Sequence, residues 1–266
     1  MTAVPWTASA LNDSMVELRD LTIDYALPRR FFGSRSAPQS VPALAPFTAR
    51  FERGKISAVI GPSGCGKTSL IHAIAGLLRP SSGGIFIDGR AQKGIRENTG
   101  VIFQHFGLLP WKTVEANAEL PLKIMKVKKP ERRERSGKLL EEFGLEEFRR
   151  LYPHKLSGGM KQRLAAARAL ISGPDLLLMD EPFSSLDALS REEAQDFLLS
   201  IKESRSLTVI LITHSIEEAV YLSDTVYVIT GKNPGALAAR VDMPRMERDD
   251  SRFPGLSGRL RNLLGA

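Results

Sequence analysis

The sequence predicts an α/β fold with a mostly parallel sheet covered by helices on both faces, and three observations predict it. Apolar runs of strand length alternate with helix-patterned segments along most of the 266 residues. One run, Ile56–Ile60, leads through the glycine-rich octapeptide Gly61-Pro-Ser-Gly-Cys-Gly-Lys67-Thr68 into a helical pattern at Ser69–Leu78. Another, Leu176–Met179, ends in two carboxylates, Asp180 and Glu181.

Taken in order, residues 1–14 read as a loose tail. Met15–Tyr25 alternates in part and predicts a strand. Pro28–Pro42, with three prolines and Arg29, Arg30, Phe31, Phe32 and Arg35, reads as an inserted cationic loop. Phe47–Phe51 predicts a strand that turns at Arg53-Gly54 into Ile56–Ile60. Ile85–Gly89 is a strand and turn, and Val101–Gln104 a short strand with a glutamine at its end. From Leu109 the character changes. Glu115–Met125 and Glu131–Phe143 are helical in pattern and heavily charged, so residues 109–156 are expected to form an inserted helical subdomain. Its basic run, Lys123–Arg135, reads as a solvated helix face.

The α/β pattern resumes with Ser157–Leu170, an alanine-rich helix, and Asp175–Asp180, a buried strand. The amphipathic helix Arg191–Glu203, the strand Leu207–Thr213, the helix Ile216–Leu222 and the strand Thr225–Thr230 follow. Residues 15–235 are thus expected to form one large domain, and 236–266 a Pro- and Arg-containing extension with a short closing helix.

Composition sets bounds. Hydrophobic residues make up 42%, enough for a sizeable core. Thirty-seven basic against 30 acidic residues leave a net charge of +7, compatible with nucleic acid or an anionic membrane face. The single cysteine, Cys65, rules out a disulfide framework and suits a reducing compartment. The start shows no secretory signal pattern, and no apolar run approaches the roughly 20 residues of a membrane span.

The octapeptide fits the pattern G-x-x-x-x-G-K-[ST]. In such a P-loop, Gly61, Pro62, Ser63, Gly64, Cys65 and Gly66 form a cradle whose backbone N–H groups turn inward toward phosphates. Lys67 supplies a charge for the β- and γ-phosphates and Thr68 a hydroxyl for Mg²⁺, while Ser69 continues a helix whose N-terminus faces the anion. Because Cys65 lies in the cradle, thiol modification is expected to block nucleotide entry. A buried strand ending in Asp180-Glu181 places both carboxylates at the ligand-binding edge of the sheet. Asp180 is suited to hold Mg²⁺, and Glu181 to act as general base on the water that attacks the γ-phosphate. Ser157 is placed to cap a helix start at which Gly158 and Gly159 leave the backbone amides open to a second phosphate.

Leu156-Ser-Gly-Gly-Met160-Lys-Gln-Arg163 resembles the signature element of ATP-binding subunits of ABC transporters. The resemblance spans roughly residues 15–235 and rests on five motifs in order. It implies a P-loop NTPase (RecA-like) core with an antiparallel β subdomain and the inserted α-helical subdomain. It also implies ATP and Mg²⁺ as ligands, and a homodimer or a heterodimer with another ABC ATPase subunit. In that dimer Ser157, Gly158 and Gly159 meet the γ-phosphate held by the partner chain. By the same resemblance Gln104 senses Mg²⁺ and the attacking water, Asp187 in Ser184-Ser-Leu-Asp187 crosses the dimer interface, and His214 is the switch histidine. Tyr25 matches the aromatic that stacks on adenine, with Phe31 and Phe32 as competitors.

The further partners implied are integral membrane permease subunits at the cytoplasmic face of the membrane and, indirectly, an extracytoplasmic solute-binding protein. Trp111 and Leu109 are candidates for the permease contact, with core packing the alternative for Trp111. Leu108-Leu-Pro-Trp111, Met160 and Asp242-Met-Pro-Arg245 are similar to the nitrate/sulfonate/taurine importer subgroup. The alternative function is a soluble ABC-type ATPase acting on nucleic acid or ribosomes. Against it, Gln104 and Ser157 are only 53 positions apart with no heptads between them, and the chain carries one ATPase domain rather than two. No nucleic-acid partner is expected.

Overall fold

A computed structural model describes residues 13–26 and 40–265. Most of the expected N-terminal tail, and residues 28–39 of the expected inserted loop with Phe31 and Phe32, lie outside the described residues. The chain forms two compact units. One takes the described residues up to Ile95 together with those from Thr213 onward, and the other runs from Arg96 to Ile212.

In the first unit, β1 (Ser14–Ala26) pairs antiparallel with β2 (Ser40–Glu52), from Ser14↔Glu52 to Ala26↔Ser40. Ser40, Val41 and Pro42, expected in the loop, already belong to β2. The partial alternation of β1 has a structural cause. Val16 and Leu18 point inward, the register shifts between Leu18 and Leu21 around Asp20 (φ +46°), and Leu21 and Ile23 then take over the buried face. The fully buried β3 (Ile56–Ile60) leads to α1 (Lys67–Ile74). That helix stops short of the expected Leu78 at Gly76 (φ +76°), where a Cβ would lie 2.2 Å from the Gly94 carbonyl oxygen. β4 (Ser82–Ile87) and β5 (Arg90–Ala91) complete an antiparallel sheet of order β2-β1-β4-β5.

The second unit contains β6 (Thr99–Ile102), α2 (Val114–Ala118), α3 (Leu120–Ile124), α4 (Lys129–Glu142), α5 (Gly158–Leu170), β7 (Leu176–Asp180), α6 (Ala188–Arg205) and β8 (Thr208–Thr213), whose last residue falls to the first unit. Strands β6, β7 and β8 are parallel neighbours in that order, with Thr99↔Leu176 and Leu176↔Thr208 in register. The single helix expected over Glu115–Met125 is split at Glu119. Pro121 has no N–H to donate, and its ring crowds the carbonyl four residues back.

The chain then returns to the first unit with α7 (Ile216–Leu222), β9 (Thr225–Thr230), β10 (Ala236–Asp242) and α8 (Phe253–Leu264). β9 runs parallel to β3, and β10 antiparallel to β9. Residues 236–266, read from sequence as an extension, thus supply an edge strand and a core helix. Val241, Met243, Met246 and Leu260 are buried in one cluster with Ala58, Ile60, Val220 and Val228. Each of the Val, Ile, Leu and Met side chains there contributes roughly 1.5–3 kcal/mol by burial. Among the described residues no helix is long and apolar enough to cross a membrane.

Candidate ATP-hydrolysis site

The first unit carries the P-loop. Gly66 has φ +92°, and a Cβ there would lie 2.6 Å from the Ala43 carbonyl oxygen, so only glycine fits. It precedes α1 without a side-chain cap, which leaves first-turn N–H groups for an anion. The Lys67 ammonium, almost fully buried, donates to the carbonyls of Gly61 (2.8 Å) and Pro62 (3.0 Å). Ser63, Gly64 and Thr68 are exposed.

Cys65 departs from expectation. Its side chain is fully buried, and a Cβ on Gly61 would lie 2.7 Å from its Sγ, so the thiol is the floor of the loop and not its lining. Burial pushes the thiol pKa up, with the Lys67 ammonium pulling the other way. Cys65 therefore offers a phosphate its backbone alone, and thiol reagents do not meet it at the surface. Gly235, which carried no sequence signal, backs the same loop. A Cβ there would lie 2.1 Å from the Cys65 carbonyl oxygen.

Tyr25, at the end of β1, shares a hydrogen bond with Ser69 Oγ at 2.8 Å while 45% of it stays exposed. The hydroxyl is tied to the P-loop helix and the ring is open to a base. His214 follows β8 and is exposed. The residues around it form a clamp that sequence reasoning missed. Thr213 Oγ1 donates to the buried Glu218 carboxylate at 2.5 Å and accepts from Ser215 N–H at 3.0 Å. Ser215 in turn caps α7 by accepting from Glu218 N–H at 3.1 Å. Ser215-x-x-Glu218 is a capping-box pattern, a legible signal. Here the glutamate reaches the cap N–H through the Thr213 hydroxyl.

The second unit carries the carboxylates. Asp180 is the buried last residue of β7. Glu181 has φ +46°, a left-handed conformation that costs a non-glycine residue roughly 1–3 kcal/mol. Its N–H bonds the Ile212 carbonyl at 2.9 Å, and its own carbonyl accepts from Ser184 Oγ at 2.9 Å, so the turn is fixed on both sides. Its carboxylate accepts from Gln104 Nε2 at 3.1 Å. Gln104 sits two residues beyond β6 rather than on its end. The loop after it is tied to α5 by Arg168, which donates to the carbonyls of Phe106 (2.7 Å) and Gly107 (2.6 Å).

Ser157 caps α5 as expected, its Oγ accepting from Met160 N–H at 3.2 Å. Asp187 caps α6 through Ser190 N–H, a bond that holds its carboxyl below the usual range. The two helix starts are neighbours. A Cβ on Gly158 would lie 3.0 Å from Leu186, and one on Gly159 3.9 Å from Ser190. Ser157 and Gly158 face solvent. Trp111 is 70% exposed and so is not core, and its loop is held by the fully buried Asn117. That side chain accepts from Leu109 N–H at 2.8 Å and donates to the carbonyls of Leu109, Lys112 and Thr113.

Residues 44–184 match the ABC transporter family. The chain belongs to the ABC transporter family. Among curated relatives of this family, the taurine import ATP-binding protein TauB of Rhizobium johnstonii is 49% identical over 74% of each chain. The nitrate import ATP-binding protein NrtD of Synechocystis sp. is 41% identical over 79% of this chain and 78% of its own. Among solved structures, the ATP-binding cassette MJ0796, a dimer in a post-hydrolysis state bound to ADP and Pi, has a TM-score of 0.73 at 29% identity. That match covers 87% of this chain and all of the other. The fold is that of an ABC ATPase, with the antiparallel β subdomain the motif order implied.

Proposed function

We propose that this protein is the ATP-hydrolysing subunit of an importer for a small anionic solute of the taurine or nitrate type. It works as a dimer at the cytoplasmic face of the membrane, beside integral permease subunits that an extracytoplasmic solute-binding protein supplies. Relatives named for taurine and nitrate import, 41–49% identical, support the solute class. The observation that carries the catalytic reading is the hydrogen bond between Gln104 and Glu181, at the end of a buried strand in a chain that also holds a P-loop.

In this mechanism the α1 N–H groups and Lys67 bind the β- and γ-phosphates, Lys67 exchanging the Gly61 and Pro62 carbonyls for phosphate oxygens. Tyr25 stacks on adenine, its angle set by Ser69. Thr68, Asp180 and Gln104 offer only oxygen donors for a metal, a set that fits Mg²⁺. When bound, Mg²⁺ neutralises charge that develops on the phosphates. Gln104 orients the Glu181 carboxylate, which takes the proton of the attacking water. His214, on its clamped loop, bonds the γ-phosphate. Ser157, Gly158 and Gly159 present a helix start to the nucleotide held by the other chain, so ATP joins the dimer and hydrolysis releases it. The exposed Trp111, beside Leu109 on the loop held by Asn117, meets the permease.

The test combines hydrolysis and location. Purified protein hydrolyses MgATP and cosediments with membranes that contain its permease. Salt-sensitive binding to DNA or RNA with no membrane association overturns the reading.

A further inference from the structure

The basic run in the second unit is not a uniform solvated face. Around the turn between α3 and α4 the sequence reads Lys123-Ile-Met-Lys126-Val-Lys128-Lys129, and all four lysines are exposed. Between them Ile124 is 72% exposed and Met125 43%. The turn is ordered. Val127 N–H reaches back to the Leu122 carbonyl at 2.9 Å around Lys126, which sits at φ +60°.

The acidic side chains nearby are engaged elsewhere. Glu119 pairs with Arg132 at 3.4 Å, Glu131 with Arg135 at 3.5 Å and Glu134 with Lys138 at 2.8 Å. Among the described residues none of the four lysines takes part in an ion pair. Four uncompensated ammonium groups therefore surround two exposed aliphatic side chains.

From this juxtaposition we propose that the α3–α4 turn is a membrane-surface contact, where Lys123, Lys126, Lys128 and Lys129 meet anionic phospholipid headgroups and Ile124 and Met125 enter the interfacial layer. Clusters of four or more lysines act in this way on anionic leaflets, their stems covering apolar surface while the charges stay wet. The interleaved residues favour lipid over nucleic acid, because they are aliphatic and offer no ring on which a base stacks. Placement at a membrane rests on the proposed function, whereas the surface chemistry does not.

The experiment uses the full chain without permease, and two kinds of vesicle: phosphatidylcholine alone, and three parts phosphatidylcholine to one part phosphatidylglycerol. The protein cosediments with the anionic vesicles at low salt and is released as salt rises. The variant Lys123→Gln, Lys126→Gln, Lys128→Gln, Lys129→Gln loses at least about tenfold in that binding. Ile124→Ser with Met125→Ser weakens it while leaving the salt dependence unchanged. Both variants keep wild-type ATP binding, which shows that they fold. Wild-type binding by the quadruple variant, no preference for anionic vesicles, or binding to a single-stranded oligonucleotide but not to vesicles overturns the proposal. A wild-type chain that hydrolyses MgATP but does not bind anionic vesicles overturns this inference alone, and one that binds the vesicles but does not hydrolyse MgATP overturns the functional reading alone.

Discussion

Gln104 Nε2 donates to the Glu181 carboxylate across 3.1 Å, joining the loop after β6 to the turn after β7. An amide is no base, so in the proposed mechanism the pair has one proton acceptor, Glu181, and one aligner, Gln104. Glu181→Gln is expected to cut the turnover of MgATP by at least about a hundredfold. ATP binding persists, and an ATP-bound dimer accumulates in size-exclusion chromatography. Gln104→Ala slows turnover less, since it removes alignment and one of the three oxygen donors for Mg²⁺ but leaves the base. Hydrolysis by Glu181→Gln at the wild-type rate would exclude it as the base.

Ser157 and Gly158 face solvent beside the Asp187 cap, the arrangement expected of a helix start that serves another chain. Ser157→Arg should leave ATP affinity of the monomer within about twofold while abolishing hydrolysis, because the added cation and bulk stand where the phosphate must approach. Mixed with Lys67→Ala chains, it forms dimers in which one site has both its P-loop and its signature intact. Activity of the mixture above that of either variant alone, in a titration of one against the other, reports shared sites. Full activity of pure Ser157→Arg would refute them.

The clamp around His214 predicts coupled behaviour of residues that touch no substrate. Glu218→Ala removes the acceptor of Thr213 Oγ1 and should lower kcat about tenfold with KM for ATP little changed, since only the placement of the histidine suffers. Thr213→Val should do the same, and the double variant should be no worse than either alone. Glu218→Gln keeps an acceptor oxygen and restores most of the rate. A normal kcat for Glu218→Ala in a background where His214→Ala is inactive would dismiss the clamp.

Tyr227 gives a pH prediction. Its hydroxyl is buried against the backbone of Arg50, its ring packs on Phe51, and burial pushes its pKa up from the ordinary 10.0 to about 12. The unfolded chain ionises this group from about pH 10 and the folded chain does not. Stability is therefore whole below pH 10 and falls by about 2–3 kcal/mol as pH rises to about 12. Tyr227→Phe is less stable at neutral pH but should lose less on going from pH 9 to 12, as measured by urea unfolding. An identical alkaline slope in the variant would assign the loss to other groups.

The sequence by itself determined the elements whose periodicity is local and the motifs whose chemistry is contiguous. The bounds of β3, α7 and β9 were legible because a buried parallel strand is apolar throughout and a helix carries its own cap. The placement of the glycine loop before α1, the Ser157 cap of α5 and the buried strand that ends at Asp180 were legible because each is written in contiguous residues. Tertiary structure alone decided the rest, because it depends on contacts between residues far apart in the chain. Gly235 is required by the Cys65 carbonyl, 170 positions away, and the thiol expected to line the cradle became its floor because Gly61 packs against it. The extension after residue 235 became core because Val241 and Leu260 find Ala58 and Val228, a partnership no window of sequence displays. The charges of Lys123–Arg135 looked alike in sequence. Only the pairing of Glu119, Glu131 and Glu134 with Arg132, Arg135 and Lys138 shows which charges are compensated and which are left facing outward.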